Sequence, residues 1–85
     1  MSKTIYVGNL SYSSTDQDLR NLFAQYGTVE SARIITDRDT GRSRGFGFVD
    51  VAEDEGADRA IQALNGTELQ GRALRVHEAR PRSND

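Results

Sequence analysis

The eight residues from Arg44 to Val51, Arg-Gly-Phe-Gly-Phe-Val-Asp-Val, constrain the fold of this chain more than any other stretch. Alternate side chains of a β-strand share a face, so Phe46 and Phe48 point to one side together, with Arg44 before them and Asp50 after them. The other side carries only glycine and valine. Because that small, aliphatic side continues into further aliphatic residues, as a core does, we predict that the two rings stand on the solvent side of a sheet, where exposed aromatics indicate a binding surface.

The length and the residue types exclude several classes of protein. Eighty-five residues form one small domain, for which we expect residues 1–80, followed by a flexible tail at residues 81–85. The absence of cysteine excludes disulfides, thiolate metal sites and cysteine nucleophiles, and one histidine offers no imidazole cluster, so we expect no metal and no cofactor. No apolar run could cross a membrane. A reducing compartment is expected, which is the cytoplasm, or the nucleus or an organelle in a eukaryote.

The distribution of charge is more informative than its sum. The net charge of −2 argues mildly against a polyanionic ligand. However, residues 33–44 contain four arginines against two aspartates, and residues 72–82 contain four arginines against one glutamate. Acidic residues concentrate at 16–18 and 53–58, where they suit the starts of predicted helices. The basic groups therefore flank the aromatic strand.

Hydrophobic periodicity predicts three strands and two helices besides the phenylalanine strand. The strands are predicted at Thr4–Leu10, Val29–Ile35 and Arg72–Ala79. The first helix follows Thr15, which with Asp18 resembles a capping box, and Gly27 is predicted to end it as a left-handed cap. The second helix begins at residues 53–55 and is stopped by the Asn-Gly pair at 65–66.

The order of these elements is strand, helix, strand, strand, helix, strand. Each helix has one apolar stripe, so both must cover the same face of a four-stranded antiparallel sheet, which is an α+β architecture. By alternation Tyr6, Phe46 and Phe48 fall on the face that stays open. The strand that carries Tyr6 is expected to lie beside the phenylalanine strand at the centre of the sheet.

Two motifs carry a resemblance to a known family. Residues 44–49 match the octamer K/R-G-F/Y-G/A-F-V-x-F/Y of the RNA recognition motif, and only Val51, in place of an aromatic, departs from it. Ile5-Tyr6-Val7-Gly8-Asn9-Leu10 resembles the companion hexamer on the first strand. The chain thus resembles the RNA recognition motif family over essentially its whole length. It is most similar to the small single-motif proteins of bacteria, and it also fits an excised domain of a larger eukaryotic protein.

The resemblance implies a ferredoxin-like βαββαβ sandwich and a role for particular residues. Tyr6 and Phe48 would stack on successive bases, Phe46 would pack against a ribose, and Arg44 would pair with phosphate. Further RNA contacts are expected from Asn9, Arg33, Arg75, His77 and Arg80. For His77, a solvated position is an equally open alternative. We expect Val51 to face the core, so that the departure from the motif changes packing and leaves the ligand contacts intact.

The prediction for function is non-catalytic binding of short single-stranded RNA by a monomer, in post-transcriptional regulation, with single-stranded DNA bound more weakly. A protein-interaction module on the same fold is the alternative. A phosphatase-like enzyme on this architecture would need an anion-binding loop after the first strand, and residues 11–14 contain neither glycine nor arginine. The serines have no histidine partner at a matched spacing, so we predict that the protein is not an enzyme.

Overall fold

Two helices pack against one face of a four-stranded antiparallel sheet, as the sequence predicts. The computed structural model describes residues 3–69 and 71–79. In chain order the elements are β1 (Lys3–Gly8), α1 (Asp16–Phe23), β2 (Val29–Thr36), β3 (Ser43–Val51), α2 (Asp54–Leu64), β4 (Glu68–Leu69), β5 (Arg72–Ala73) and β6 (Arg75–Glu78). The strand order is β2-β3-β1-β6, so β3 and β1 occupy the centre of the sheet. The predicted α+β sandwich and the central position of the phenylalanine strand are both confirmed.

The core lies between the helices and the inner face of the sheet. Its fully buried aliphatic and aromatic side chains include Ile5, Val7, Val49, Leu19, Phe23, Ala57 and Ala60. Val51 is 0% exposed, which confirms that the one departure from the octamer is a matter of packing. Burying a side chain as large as valine or leucine contributes about 1.5–3 kcal/mol to the free energy of unfolding. The inner face of the sheet therefore accounts for much of the stability of so small a domain.

Helix α1 approaches the sheet closely because β3 carries glycine under it. A Cβ atom at Gly47 would overlap the carbonyl oxygen of Arg33 and would lie 3.1 Å from Cδ1 of Leu19. Alanine at this position would therefore push the helix off the sheet or displace β2. Gly47 is thus needed on the inner face by the helix, while the rings on either side of it in the sequence occupy the outer face.

The first helix begins as predicted and ends earlier than predicted. The backbone N–H of Asp18 donates to Oγ1 of Thr15 at 3.2 Å, and the Thr15 N–H donates to Oδ2 of Asp18 at 3.0 Å, which confirms the capping box. The helix ends at Phe23, with Ala24 as its C-cap, so the assignment of Gly27 as a left-handed cap is wrong. A Cβ at Gly27 would instead lie 2.8 Å from a carboxylate oxygen of Glu53 and 2.9 Å from Cγ1 of Val51, so a larger side chain would require these neighbours to shift.

The predicted last strand, residues 72–79, is interrupted at Leu74. The backbone of Leu74 pairs with the turn after α2, accepting from Gly66 at 2.8 Å and donating to Thr67 at 2.9 Å. Of the predicted last strand, only the part that forms β6 therefore pairs with β1. The part that forms β5 makes a separate short hairpin with β4, which the sequence did not predict. Leu74 and Val76 both face inward, each 2% exposed. Over the described ranges no helix is long and apolar enough to cross a bilayer.

A carboxylate ties the start of β2 to the start of α2. The backbone N–H of Thr28 donates to Oε1 of Glu53 at 2.7 Å, and the Thr28 hydroxyl donates to Oε2 at 2.9 Å. These hydrogen bonds, the backbone one first, lower the pKa of Glu53 below its ordinary value near 4.5. The carboxylate is solvent-exposed, so water and salt screen the interaction.

A Glu53→Gln variant should lose stability in a pH-dependent way. A carboxyl whose pKa is lowered by folding stabilises the native state above its unfolded pKa, and that stabilisation is lost as the pH falls through the folded value. The variant should therefore be less stable than the wild type at pH 7, and the difference should shrink as the pH falls below about 4. Urea unfolding across pH 3–7 measures this difference. Glu30→Gln, at another exposed acid, is the control, and a pH-independent difference at Glu53 would contradict the account.

Candidate nucleic-acid interface

Four rings stand side by side on the outer face of β3, β1 and β6. Phe48 lies opposite Tyr6 on β1, and Tyr6 lies opposite His77 on β6. Phe46 lies two residues before Phe48, opposite Gly8. We refer to Tyr6, Phe46, Phe48 and His77 as the ring platform. The predicted grouping of Tyr6 with the two phenylalanines is confirmed, and His77 joins it as a stacked ring.

The rings contact one another in the geometries that aromatic pairs prefer. Tyr6 is stacked on His77 with centroids 4.7 Å apart and on Phe46 with centroids 5.8 Å apart. Phe48 meets Tyr6 and Phe46 edge-on, at 5.9 and 6.1 Å. Tyr6 and the two phenylalanines are partly buried as a result, while His77 is exposed. The platform is therefore held in place by its own packing before any ligand arrives.

Gly8 provides the space in which the Tyr6 ring lies. A Cβ atom at Gly8 would be 2.5 Å from the Tyr6 hydroxyl oxygen and 2.7 Å from Cε2 of the ring. The tyrosine thus leans along its own strand over the glycine, towards Phe46. Sequence alternation placed both residues on the same face and gave no indication of this contact.

Cationic side chains surround the platform. The guanidinium carbon of Arg33 lies 6.0 Å from the centroid of the Phe48 ring, which is within cation–π range. Arg75 on β6 is exposed and lies opposite Gly8, at the end of the platform that carries Phe46. Both were predicted from sequence as contacts for RNA, and the structure brings both to the rings.

Arg44 is exposed beside the platform, but a bulge separates it from the regular alternation of β3. Gly45 has a φ of 88°, its N–H donates to the Ser43 hydroxyl at 3.0 Å, and the pairing of β2 with β3 shifts register between Ile34 and Thr36. The regular alternation that predicts Arg44 on the face of Phe46 is therefore interrupted between these two residues. Its role towards phosphate remains a prediction.

Asn9 has structural partners on both sides of its amide. Its Nδ2 donates to the Ala73 carbonyl at 2.7 Å, and its Oδ1 accepts from the Arg72 guanidinium at 2.8 Å. Its φ of 60° turns the chain out of β1. Asn9 thus fixes the β4–β5 hairpin to the end of the central strand, and its predicted RNA contact stays a prediction. Arg80, the last predicted contact, lies outside the described residues.

A carboxylate with two hydroxyl donors lies next to the platform. Asp50 accepts from Oγ1 of Thr4 at 2.5 Å and from Oγ of Ser31 at 2.6 Å, and these residues come from the strands on either side of it. We refer to the three residues as the Asp50 cluster. Sequence analysis placed Asp50 on the ring face but did not identify its partners, because they come from strands far away in the sequence.

No group of three potential metal-ligating side chains is found within residues 3–69 and 71–79. The carboxylate of the outer face, Asp50, is instead hydrogen-bonded to the hydroxyl groups of Thr4 and Ser31. The surface combines aromatic faces, guanidinium groups and one set of oxygen acceptors. Such a surface can stack on planar groups, pair with anions and accept hydrogen bonds.

The comparison with known families agrees with this geometry. The sequence matches the RNA recognition motif over residues 5–75. The chain belongs to the RNA recognition motif family. Among its relatives is RbpE of Nostoc sp., whose naming as an RNA-binding protein is provisional. RbpE is 56% identical over 79 residues, which cover 93% of this chain and 80% of RbpE.

Solved structures of similar chains have the same fold. The RNA-binding protein PG1 is 55% identical, with a TM-score of 0.91 over 96% of this chain and 99% of PG1. A complex of the Sex-lethal protein with RNA superposes with a TM-score of 0.89 at 34% identity, over 99% of this chain and 50% of that chain. The similarity to RbpE and PG1, both little longer than the matched region, agrees with the expected likeness to small single-motif proteins.

A Gly8→Ala variant should displace the Tyr6 ring without unfolding the domain. The added methyl group would overlap the end of a rotatable side chain, so the ring can move while the backbone stays. Nuclear Overhauser contacts between the Tyr6 and His77 rings should be lost, while those between the core residues Ile5 and Val49 should remain. Unchanged Tyr6–His77 contacts would show that Gly8 does not position the ring.

Proposed function

We propose that this domain binds short single-stranded RNA across the ring platform and that it does so without catalysing a reaction. The observation that carries the proposal is the packed row of Phe48, Tyr6 and His77 across three strands, with Phe46 beside it. Every base has a π-face, and stacking on an aromatic side chain contributes about 1–3 kcal/mol per base. Single-stranded RNA offers unstacked bases that can use such a surface.

The surroundings of the platform favour a nucleic acid over other planar ligands. Arg33, Arg44 and Arg75 are exposed around the rings, where they can pair with a phosphate backbone. The relatives lend further support, since the compared proteins are named for RNA binding and the Sex-lethal structure is a complex with RNA. The platform fits roughly two to four nucleotides, and with so few phosphate contacts we expect micromolar affinity at best.

We make further proposals for the oligomeric state, the cellular role and the location of the protein. We propose a monomer that acts in post-transcriptional regulation in the cytoplasm, or in the nucleus or an organelle of a eukaryote. Single-stranded DNA should bind more weakly, because it lacks the 2′-hydroxyl by which proteins distinguish RNA. Within the described residues, the hydrogen bond of the His77 ring is to the backbone carbonyl of Glu78, and no serine hydroxyl or carboxylate is paired with this ring as in a nucleophilic site.

Replacing both phenylalanines should abolish most of the binding. In a Phe46→Ala, Phe48→Ala double variant, at least one base loses its stacking partner, which should weaken binding by roughly 5- to 150-fold. Fluorescence anisotropy with pools of short labelled RNA measures the affinity, and circular dichroism confirms the fold. Tyr12→Ala is the matched control, because Tyr12 is an aromatic that is 73% exposed and lies off the sheet.

Two results would contradict the proposal. Equal RNA affinity in a folded double variant would show that the rings are not the binding surface. No detectable RNA binding by the wild type, together with a protein partner that is lost in the double variant, would favour the protein-interaction module instead.

The contribution of Arg44 should appear in the dependence of affinity on salt. Each phosphate contact on a single strand releases counterions and adds about 0.7 to the slope of log affinity against log salt concentration. Arg44→Ala should therefore flatten that slope by about 0.7, while Arg59→Ala, at an exposed arginine of α2, should leave it unchanged. A slope that Arg44→Ala does not alter would remove this residue from the phosphate contacts.

A further inference from the structure

The Asp50 cluster borders the position where a base would stack on Phe48. Asp50 follows Phe48 by two residues on the same face of β3, which places the two side chains about 7 Å apart along the strand. Thr4 lies opposite Asp50 on β1, and Ser31 lies opposite it on β2. A planar base on the Phe48 ring can therefore extend its edge towards these three side chains.

The hydrogen bonds within the Asp50 cluster determine which donors and acceptors remain available to a ligand. Thr4 and Ser31 both direct their hydroxyl protons to the carboxylate of Asp50, at 2.5 and 2.6 Å. A hydroxyl has one proton to donate, so neither has a donor left for a ligand. Each carboxylate oxygen accepts one of these bonds and keeps a further acceptor site. The cluster thus presents hydrogen-bond acceptors only.

We propose that the Asp50 cluster selects guanine at the position stacked on Phe48. Guanine carries two adjacent donors, N1–H and the N2 amino group, which match the two oxygens of a carboxylate. Adenine and cytosine present one amino group beside an acceptor nitrogen, and uracil presents one N–H between two carbonyl oxygens. Those acceptors would face the lone pairs of the cluster and be repelled. This inference rests on the proposed function and adds a base preference to it.

The negative charge of Asp50 also orients the bound RNA. A carboxylate repels phosphate. Arg44 and Arg75 lie near the end of the platform that carries Phe46, away from Asp50, while Arg33 lies over Phe48 between the two ends. The sugar-phosphate backbone should therefore pass on the side of these arginines, with the base edge directed towards Asp50. The cluster and the arginines thus favour one placement of the nucleotide over its reverse.

The test compares RNA tetranucleotides that differ in one base. Oligouridine with a single guanosine, placed at each position in turn, should bind the wild type about tenfold more tightly than oligouridine at one position. Replacing that guanosine with inosine, which lacks only the N2 amino group, should remove most of the gain. In Asp50→Asn the Asn amide can donate, so guanine and uracil should bind within about twofold of each other. Glu55→Gln, which removes an exposed acidic charge from α2, should keep the full preference.

The outcomes separate this inference from the proposed function. If the wild type binds oligouridine but gains nothing from guanosine at any position, or if inosine binds as tightly as guanosine, the inference is overturned and RNA binding stands. A folded Asp50→Asn variant that keeps the guanosine preference overturns it as well. The inosine comparison uses the wild type alone, so it decides the matter even where Asp50→Asn fails to fold. Absence of binding to every RNA would instead overturn the proposed function.

Discussion

The close approach of helix α1 to the central strands is the constraint on which the rest of this domain depends. Gly47 has no side chain where Leu19 and the backbone of β2 come together, and the alanines of α2 allow a similar approach on the neighbouring strands. Both helices consequently occupy one face of the sheet. Because side chains alternate along β3, filling that face with glycine and valine directs Phe46 and Phe48 to the other.

Rings on the outer face that made no contact with one another would leave their whole apolar surface in water, which is unfavourable for the stability of a small domain. They are partly buried by one another, since Tyr6 contacts Phe46, Phe48 and His77 at centroid distances between 4.7 and 5.9 Å. This mutual packing keeps the rings ordered while their outer surfaces remain accessible. A surface that is already ordered loses less conformational entropy when a flexible single strand binds to it.

Local patterns in the sequence predicted the features of this domain that are set by local chemistry. Alternation placed Val51 in the core and the rings outside, and the spacing of Thr15 and Asp18 predicted the capping box. Gly27 shows where such patterns fail. A glycine after an apolar stripe is typical of a helix cap, but here a Cβ would lie 2.8 Å from the Glu53 carboxylate and 2.9 Å from Cγ1 of Val51, and those contacts are not visible in sequence.

The other differences between the predicted and the observed structure also come from contacts between residues that are far apart in the sequence. The break at Leu74 arises because its backbone pairs with the turn after α2, and the bulge at Gly45 depends on how β2 meets β3. Asp50 could be assigned to the ring face from sequence, but its two hydroxyl donors come from other strands. Which residues share the outer face of the sheet was thus largely predictable, whereas the hydrogen bonds among them required the three-dimensional arrangement.

The central claim is that RNA binds to the outer face of the sheet, and chemical-shift mapping tests it most directly. Backbone and aromatic resonances of the isotope-labelled domain would be followed while a short single-stranded RNA is added. The account predicts that the largest shifts occur at Tyr6, Phe46, Phe48 and His77, and that α1 and α2 change little. Large shifts confined to the helices, with the ring resonances unchanged at saturation, would contradict it.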